Sequence, residues 1–230
     1  MEIIKTIRNW SEVWALLIPL TIILRSRSGI PHMRPIVLYV WIALVLNTIS
    51  TTMFVFHKSM PEFLSNNNIL YNLHSFLRVT CFGFYIYHIR KHRYSFLYSI
   101  LIAIYVLYFV LNFIFFESIL FFSTRIFSAE SIVLLTFCLL FFVRSIQDDS
   151  NTNWLKHPAF LICGGISFYE AVNFFIFLLY YPLSAKGKSF ISALWTVHNT
   201  TFVILCISIA LALYSGYKKP ILNQTAQNGF

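Results

Sequence analysis

Charged residues are scarce in this sequence. Only 11% of its 230 residues are Asp, Glu, Lys or Arg, whereas soluble domains have about 25%. Acidic residues are the scarcer kind, because the chain has 8 Asp and Glu against 17 Lys and Arg. Hydrophobic residues make up 58% of the chain. This composition excludes an ordinary soluble domain and predicts a protein embedded in a membrane.

The sequence also lacks the motifs that mark several kinds of metal, phosphate and cofactor site. It contains no CxxC, no Cys/His metal-ligand spacing, no phosphate-binding loop and no dinucleotide fingerprint. The last hydrophobic segment has no lysine, which excludes a retinal Schiff base there. We therefore expect neither a metal nor a cofactor, and we expect the cysteines to pack as small hydrophobic residues. The four cysteines, all within hydrophobic segments, are Cys81, Cys138, Cys163 and Cys206.

Seven hydrophobic segments approach or reach the length of about 20 residues that crosses a bilayer. We predict an all-α, polytopic membrane bundle of seven transmembrane helices over residues 1–216, followed by a short cytoplasmic tail over 217–230. The first segment has a short apolar core and contains Pro19, so the alternative is six spans plus an interfacial N-terminal helix. The predicted segments are 8–24, 36–57, 69–89, 96–116, 125–143, 157–182 and 190–214.

The net charge of +9 comes from basic residues clustered in the short stretches between these segments. Such clusters are typical of the positive-inside rule, so we expect membrane lipids and not nucleic acid as partners. The larger clusters, 25–34, 90–93 and 218–219, fall on one predicted side. That side is then cytoplasmic. The expected protein is a multi-pass protein of the cell (inner) membrane, with its N-terminus outside and its C-terminus in the cytoplasm.

Polar side chains recur inside four of the segments, at similar depths. At 1.5 Å per residue they lie about 8–18 Å from the same outer end. A charged side chain facing lipid costs at least ~2.5–3.5 kcal/mol at the bilayer centre. We therefore expect these side chains to meet in a pocket open to the outside, with Glu130 or Glu170 as counter-ion of Arg78. The alternative is a purely structural clamp between helices. The predicted ligand-binding residues are His74, Arg78, Glu130, Glu170, Asn173, Trp195, His198 and Asn199, with added hydroxyls from Tyr71, Tyr85 and Tyr169.

Two stretches near the C-terminus carry a resemblance to a known group of proteins. FYEAVNFFIFLLYYPL and ALWTVHNTTFVILCISIALAL resemble the last two helices of small bacterial seven-helix inner-membrane proteins of unassigned activity. Those proteins resemble sensory or receptor-like modules. The resemblance touches Glu170, Trp195, His198 and Asn199, and it implies no reaction.

Three functions are compatible with such a pocket. The first is a small-molecule sensor or receptor for a hydrophobic or amphipathic ligand, which signals to a separate cytoplasmic partner. The second is a membrane enzyme acting on a lipid or isoprenoid, with Glu130 and Glu170 as acid and base and His198 assisting. The third is a small-solute transporter with the same three residues as a relay, although no internal repeat supports it. We favour the first, which needs no catalytic activity.

Overall fold

A computed structural model describes residues 2–26, 31–57, 66–89, 95–147, 157–185 and 187–227. Every regular element in these ranges is helical. A 3₁₀ turn (Pro31–Met33) precedes α3, and a π-helical turn (Asn112–Phe116) continues α5. The α-helices are α1 (Glu2–Asn9), α2 (Ser11–Arg25), α3 (Arg34–Phe56), α4 (Asn68–Ile89), α5 (Ser95–Leu111), α6 (Thr124–Gln147), α7 (Pro158–Leu178), α8 (Tyr180–Ser184) and α9 (Lys188–Gln227).

Five of these helices are long and apolar enough to cross a membrane. They are α3, α5 with its π-helical turn, α6, α7 and the part of α9 over 189–217. Lipid offers no hydrogen-bond partners, so a spanning segment must bond its backbone internally, as a helix does. The chain is therefore an all-helical, membrane-embedded protein, as its composition predicts.

The remaining two predicted segments also form helices. α4 follows the predicted boundaries closely but has Asn72, His74, Ser75 and Arg78 in its buried face. α2 is only 15 residues long and contains Pro19. At the other end of the chain, α9 continues to Gln227, so most of the predicted tail is helical.

The bundle is organised around α7, which packs against α6 on one side and α9 on the other. α4 packs against α3 and α6, and α2 packs against α9 and α3. Although α2 is short, its Ala15 and Leu16 are fully buried. Large apolar side chains such as Phe96 and Ile146 cover the outside, as expected for a surface that faces lipid.

Small residues allow α7 and α9 to approach closely. A Cβ atom added at Gly165 would lie 2.5 Å from the Cβ atom of Ser208. Gly165 therefore permits the close contact between the two helices, whereas nothing lies within 4 Å of a Cβ atom added at Gly164. The four cysteines are buried and free, as expected for packing residues.

The two ends of the bundle differ in chemistry. At one end α4, α6 and α9 begin and α7 ends; we call it the cluster end, because the buried charges lie nearer to it. At the opposite, basic end lie Arg25, Arg34 and Arg144, at the ends of α2, α3 and α6.

Candidate functional site

Arg78 of α4 is the centre of a buried charged cluster. Its side chain is 4% exposed, and its Nε atom lies 3.1 Å from Oε1 of Glu130 in α6. Its Nη1 atom lies 3.7 Å from Oε1 of Glu170 in α7 and donates a 2.6 Å hydrogen bond to the Tyr169 hydroxyl. The predicted counter-ions of Arg78 are thus both present. One guanidinium connects three helices, and two carboxylates neutralise it.

His198 of α9 is the centre of a second polar group. Its Nδ1 atom lies 2.5 Å from Oδ1 of Asn173, and the Asn173 amide nitrogen donates to the Thr201 hydroxyl at 3.1 Å. An amide oxygen only accepts, so Nδ1 carries the proton in this contact. The Nε2 atom of His198 faces Oε1 of Glu12 in α2, at 3.4 Å. The imidazole is therefore held in one orientation between two helices.

Two further contacts complete the cluster. His74 Nε2 lies 3.3 Å from the Tyr39 hydroxyl, which ties α4 to α3. Ser131 donates a 2.7 Å hydrogen bond to Oε2 of Glu170. Neighbouring helices thus hold both histidines and both central glutamates in place.

A small cavity lies on the cluster-end side of these groups. Its empty volume is about 290 Å³ when space open to solvent is counted, but only about 10 Å³ is available to the centre of a water molecule. That space holds about one water. Polar side chains form what we call the floor, namely Glu12, His74, Arg78, Tyr169 and His198. The aromatic side chains nearer the cluster end form what we call the roof, namely Tyr71, Phe122, Phe127, Phe177 and Trp195. Phe202 also lines the cavity, but it lies one turn deeper in α9 than His198 and contacts the rings of His74 and Tyr169.

The loop over residues 117–123 partly covers the cavity at the cluster end, where Phe122 belongs to the lining. Phe122 of this loop packs among aromatic rings, with centroid distances of 4.8 Å to Phe127 and 5.9 Å to both Phe177 and Trp195. The Asn72 amide nitrogen donates 2.9 Å hydrogen bonds to the backbone oxygens of Ile119 and Phe121. The chain therefore fixes a loop that contributes to the cavity lining, and the predicted set of pocket residues did not include this loop.

The predicted ligand-binding residues divide into three groups. His74, Arg78, Trp195 and His198 line the cavity. Glu130, Glu170 and Asn173 lie behind its wall, each in contact with a residue of the floor. Asn199 is outside the cavity lining, and its amide nitrogen is 3.4 Å from the Arg8 backbone oxygen. One residue of helix advances the side chain by about 100°, so Asn199 points away from the direction of His198.

Sequence reasoning missed Glu12, the third carboxylate of the cluster. It is only 7% exposed, and its backbone oxygen accepts a 3.3 Å hydrogen bond from Asn47. The signal was available, because Glu12 is an acidic residue within the first hydrophobic segment. Of the three expected hydroxyl groups, those of Tyr71 and Tyr169 belong to cavity-lining residues, whereas Tyr85 is buried elsewhere.

The fold and the cluster define the class of this protein: a helical protein embedded in a membrane, with a buried charged cluster beside a small cavity. Among the described residues, no group of three or more His, Cys, Asp or Glu side chains is arranged to hold a metal ion. No protein family, curated protein or solved structure was found to match the chain. The function is therefore proposed from the residues and geometry of the site.

Proposed function

We propose that this protein is a membrane receptor or sensor that binds a small amphipathic ligand in the cavity at the cluster end. The observation that carries the proposal is the division of the cavity into a charged floor and an aromatic roof. Pockets for small ligands combine apolar walls with a few fixed polar groups. An amphipathic ligand would place its polar group at the floor and its apolar part against the roof.

The cluster also supplies a route for signalling. Its ion pairs and hydrogen bonds join α2, α4, α6, α7 and α9. A ligand that contacts Arg78 or His198 competes with those bonds and so favours a different helix packing. The cavity has room for about one water, so the bound state has a displaced roof. A separate cytoplasmic partner would detect this change at the basic end.

This proposal includes a topology. We propose seven spans, with the basic end in the cytoplasm, the N-terminus outside and the inner membrane of a bacterium as the location. The packing of α2 and α4 inside the bundle supports seven spans, and Arg25, Arg34 and Arg144 support the orientation. Such a protein would be of the same kind as the small bacterial seven-helix inner-membrane proteins that its last two helices resemble in sequence.

Native mass spectrometry of the gently extracted full-length protein tests ligand binding. The wild type is expected to carry a co-purified small molecule, and His198→Phe is expected to retain at least tenfold less of it. Thr200→Val is the matched control, because Thr200 is exposed on the same helix and bonds only its own helix backbone in the described contacts. Equal retention in the two variants, or no bound compound in the wild type, would contradict the proposal.

A membrane enzyme is the second candidate, and the fixed orientation of His198 favours it. With Nδ1 held by Asn173, Nε2 is the nitrogen that faces Glu12 and is placed to exchange a proton. Glu130 and Glu170 are less suited as acid and base, because both pair with Arg78 and neither lines the cavity. An enzyme would convert an added lipid to a new product, and His198→Phe would abolish that conversion.

A transporter has less support from the geometry. The described residues buried between the cluster and the basic end are largely apolar, as at Phe82, Phe137, Ile166 and Leu205. A polar relay from the cluster would have to cross this layer to reach the cytoplasm.

A further inference from the structure

We propose that the ligand of this cavity is a small organic cation, an amine or quaternary ammonium group, held by Glu12 and the aromatic roof. The inference rests on the proposed function, since it names the chemical class of the ligand for the same site.

The charge balance of the cluster is the first argument. Arg78 is its one permanent cation, whereas Glu12, Glu130 and Glu170 are three acids. Carboxyl groups therefore outnumber permanent cations three to one in this cluster. His74 bonds the Tyr39 hydroxyl, and no carboxylate pairs with it in the described part of the chain. A buried charge without a partner costs several kcal/mol, so the cluster favours an added cation and disfavours an anion.

Glu12 is the carboxylate that is placed to receive this cation. Glu130 and Glu170 share Arg78, whereas Glu12 contacts only the His198 ring among the described ion pairs. Unlike the other two acids, it lines the cavity. It also lies in the first turn of α2, where the helix dipole stabilises negative charge. An ammonium group at this position would pair with the Glu12 carboxylate beside the His198 ring.

The aromatic roof supplies the second, independent argument. Tyr71, Trp195 and Phe122 surround the same space, with Trp195 centroid distances of 6.0 Å to Tyr71 and 5.9 Å to Phe122. Ring faces attract a cation within about 6 Å of their centroids, and groups of such rings recognise quaternary ammonium ligands. Their arrangement beside a carboxylate therefore favours an organic cation over a metal ion, which needs several oxygen or nitrogen ligands.

The test compares three probes of similar size on the purified full-length protein. They are tetramethylammonium, tert-butanol and pivalate, titrated by calorimetry at constant ionic strength. Wild type is expected to bind tetramethylammonium more tightly than the other two. Glu12→Gln, which keeps the shape and removes the charge, should weaken that binding at least tenfold. Thr200→Val is the control, because Thr200 is exposed on α9 and bonds only its own helix backbone in the described contacts.

Trp195→Leu is a second variant, which removes one ring of the roof and leaves all three carboxylates in place. It should also weaken tetramethylammonium binding at least tenfold. The cation assignment is overturned if tetramethylammonium does not bind, or if Glu12→Gln and Thr200→Val bind it equally. It is also overturned if pivalate or tert-butanol binds more tightly than tetramethylammonium. If pivalate or tert-butanol binds more tightly than tetramethylammonium and His198→Phe abolishes its binding, the receptor function stands and only the ligand class is wrong.

Discussion

At the scale of single residues, Arg78 holds the cluster together. Its replacement by leucine leaves Glu130 and Glu170 buried without a cation. Removing one partner of a buried ion pair costs about 3–5 kcal/mol. We therefore expect Arg78→Leu to lower the free energy of unfolding by that amount, measured by denaturant unfolding of the protein in detergent.

Arg125→Leu is the control for that prediction. Arg125 also pairs with a glutamate, at 3.3 Å from Glu117, but its side chain is 57% exposed. Exposed pairs contribute about 0–1 kcal/mol, so this variant should lose little stability. A triple variant, Arg78→Leu with Glu130→Gln and Glu170→Gln, should recover part of the loss. If Arg78→Leu and Arg125→Leu lower the free energy of unfolding equally, burial of the ion pair does not determine its contribution to stability.

At the scale of elements, the close packing of α7 on α9 depends on Gly165. Gly165→Ala places a Cβ atom 2.5 Å from Ser208 Cβ, closer than atoms can pack. Overpacking costs typically about 1–3 kcal/mol, and we expect a loss in that range. Thermal unfolding of the variant in detergent checks it.

The adjacent glycine provides a matched control. Gly164→Ala adds the same methyl group to the same helix, but nothing lies within 4 Å of it. Because alanine is a better helix former than glycine by about 1 kcal/mol, Gly164→Ala should be neutral or stabilising. Ser208→Gly should rescue Gly165→Ala. If Gly164→Ala and Gly165→Ala change the stability equally, α7 and α9 do not approach closely at Gly165.

The loop over 117–123 contributes Phe122 to the cavity lining, and Asn72 holds this loop. Asn72→Leu removes both 2.9 Å hydrogen bonds to the loop backbone. We expect backbone amide hydrogen exchange in 117–123 to accelerate severalfold, because the opening of the loop then costs less free energy. Asn199→Leu is the control, since that amide bonds the Arg8 backbone and not the loop. Similar acceleration in both variants would contradict the role of Asn72.

At the scale of the whole molecule, the proposed seven-span topology predicts which residues face each side of the membrane. Single cysteines at Thr6 and Ser118 should react with a membrane-impermeant thiol reagent added to intact cells. A cysteine at Gln147, at the basic end, should react only after the membrane is opened. The four native cysteines are buried, so they should contribute little background.

The cysteine at Thr6 distinguishes seven spans from six. If α1 and α2 stay on the cytoplasmic side, Thr6→Cys reacts only in opened cells while Ser118→Cys still reacts in intact ones. If the assigned orientation is reversed, Gln147→Cys reacts in intact cells and Ser118→Cys does not.

The class of fold was predictable, because lipid imposes a strong constraint on the backbone. Long apolar segments separated by polar stretches leave helices as the form that satisfies every backbone group. The boundaries of α4, α6 and α7 follow from the same pattern to within a few residues. Their buried polar residues were predictable as a set, because a charged side chain is expensive against lipid.

The partners of those residues were less predictable. The sequence indicates that Arg78 needs a carboxylate, but the structure assigns it two, and it brings Glu12 to His198 from α2. It also turns Asn199 toward the Arg8 backbone and adds Phe122 to the cavity lining.

The sequence by itself determined the helices and the position of each polar side chain along its helix, at 1.5 Å per residue. Only the tertiary structure decided which side chains meet. The rotation and tilt of a helix depend on its packing against its neighbours, and so does the path of a loop such as 117–123. The charged floor and aromatic roof of the cavity are therefore products of packing between helices, not of any one segment.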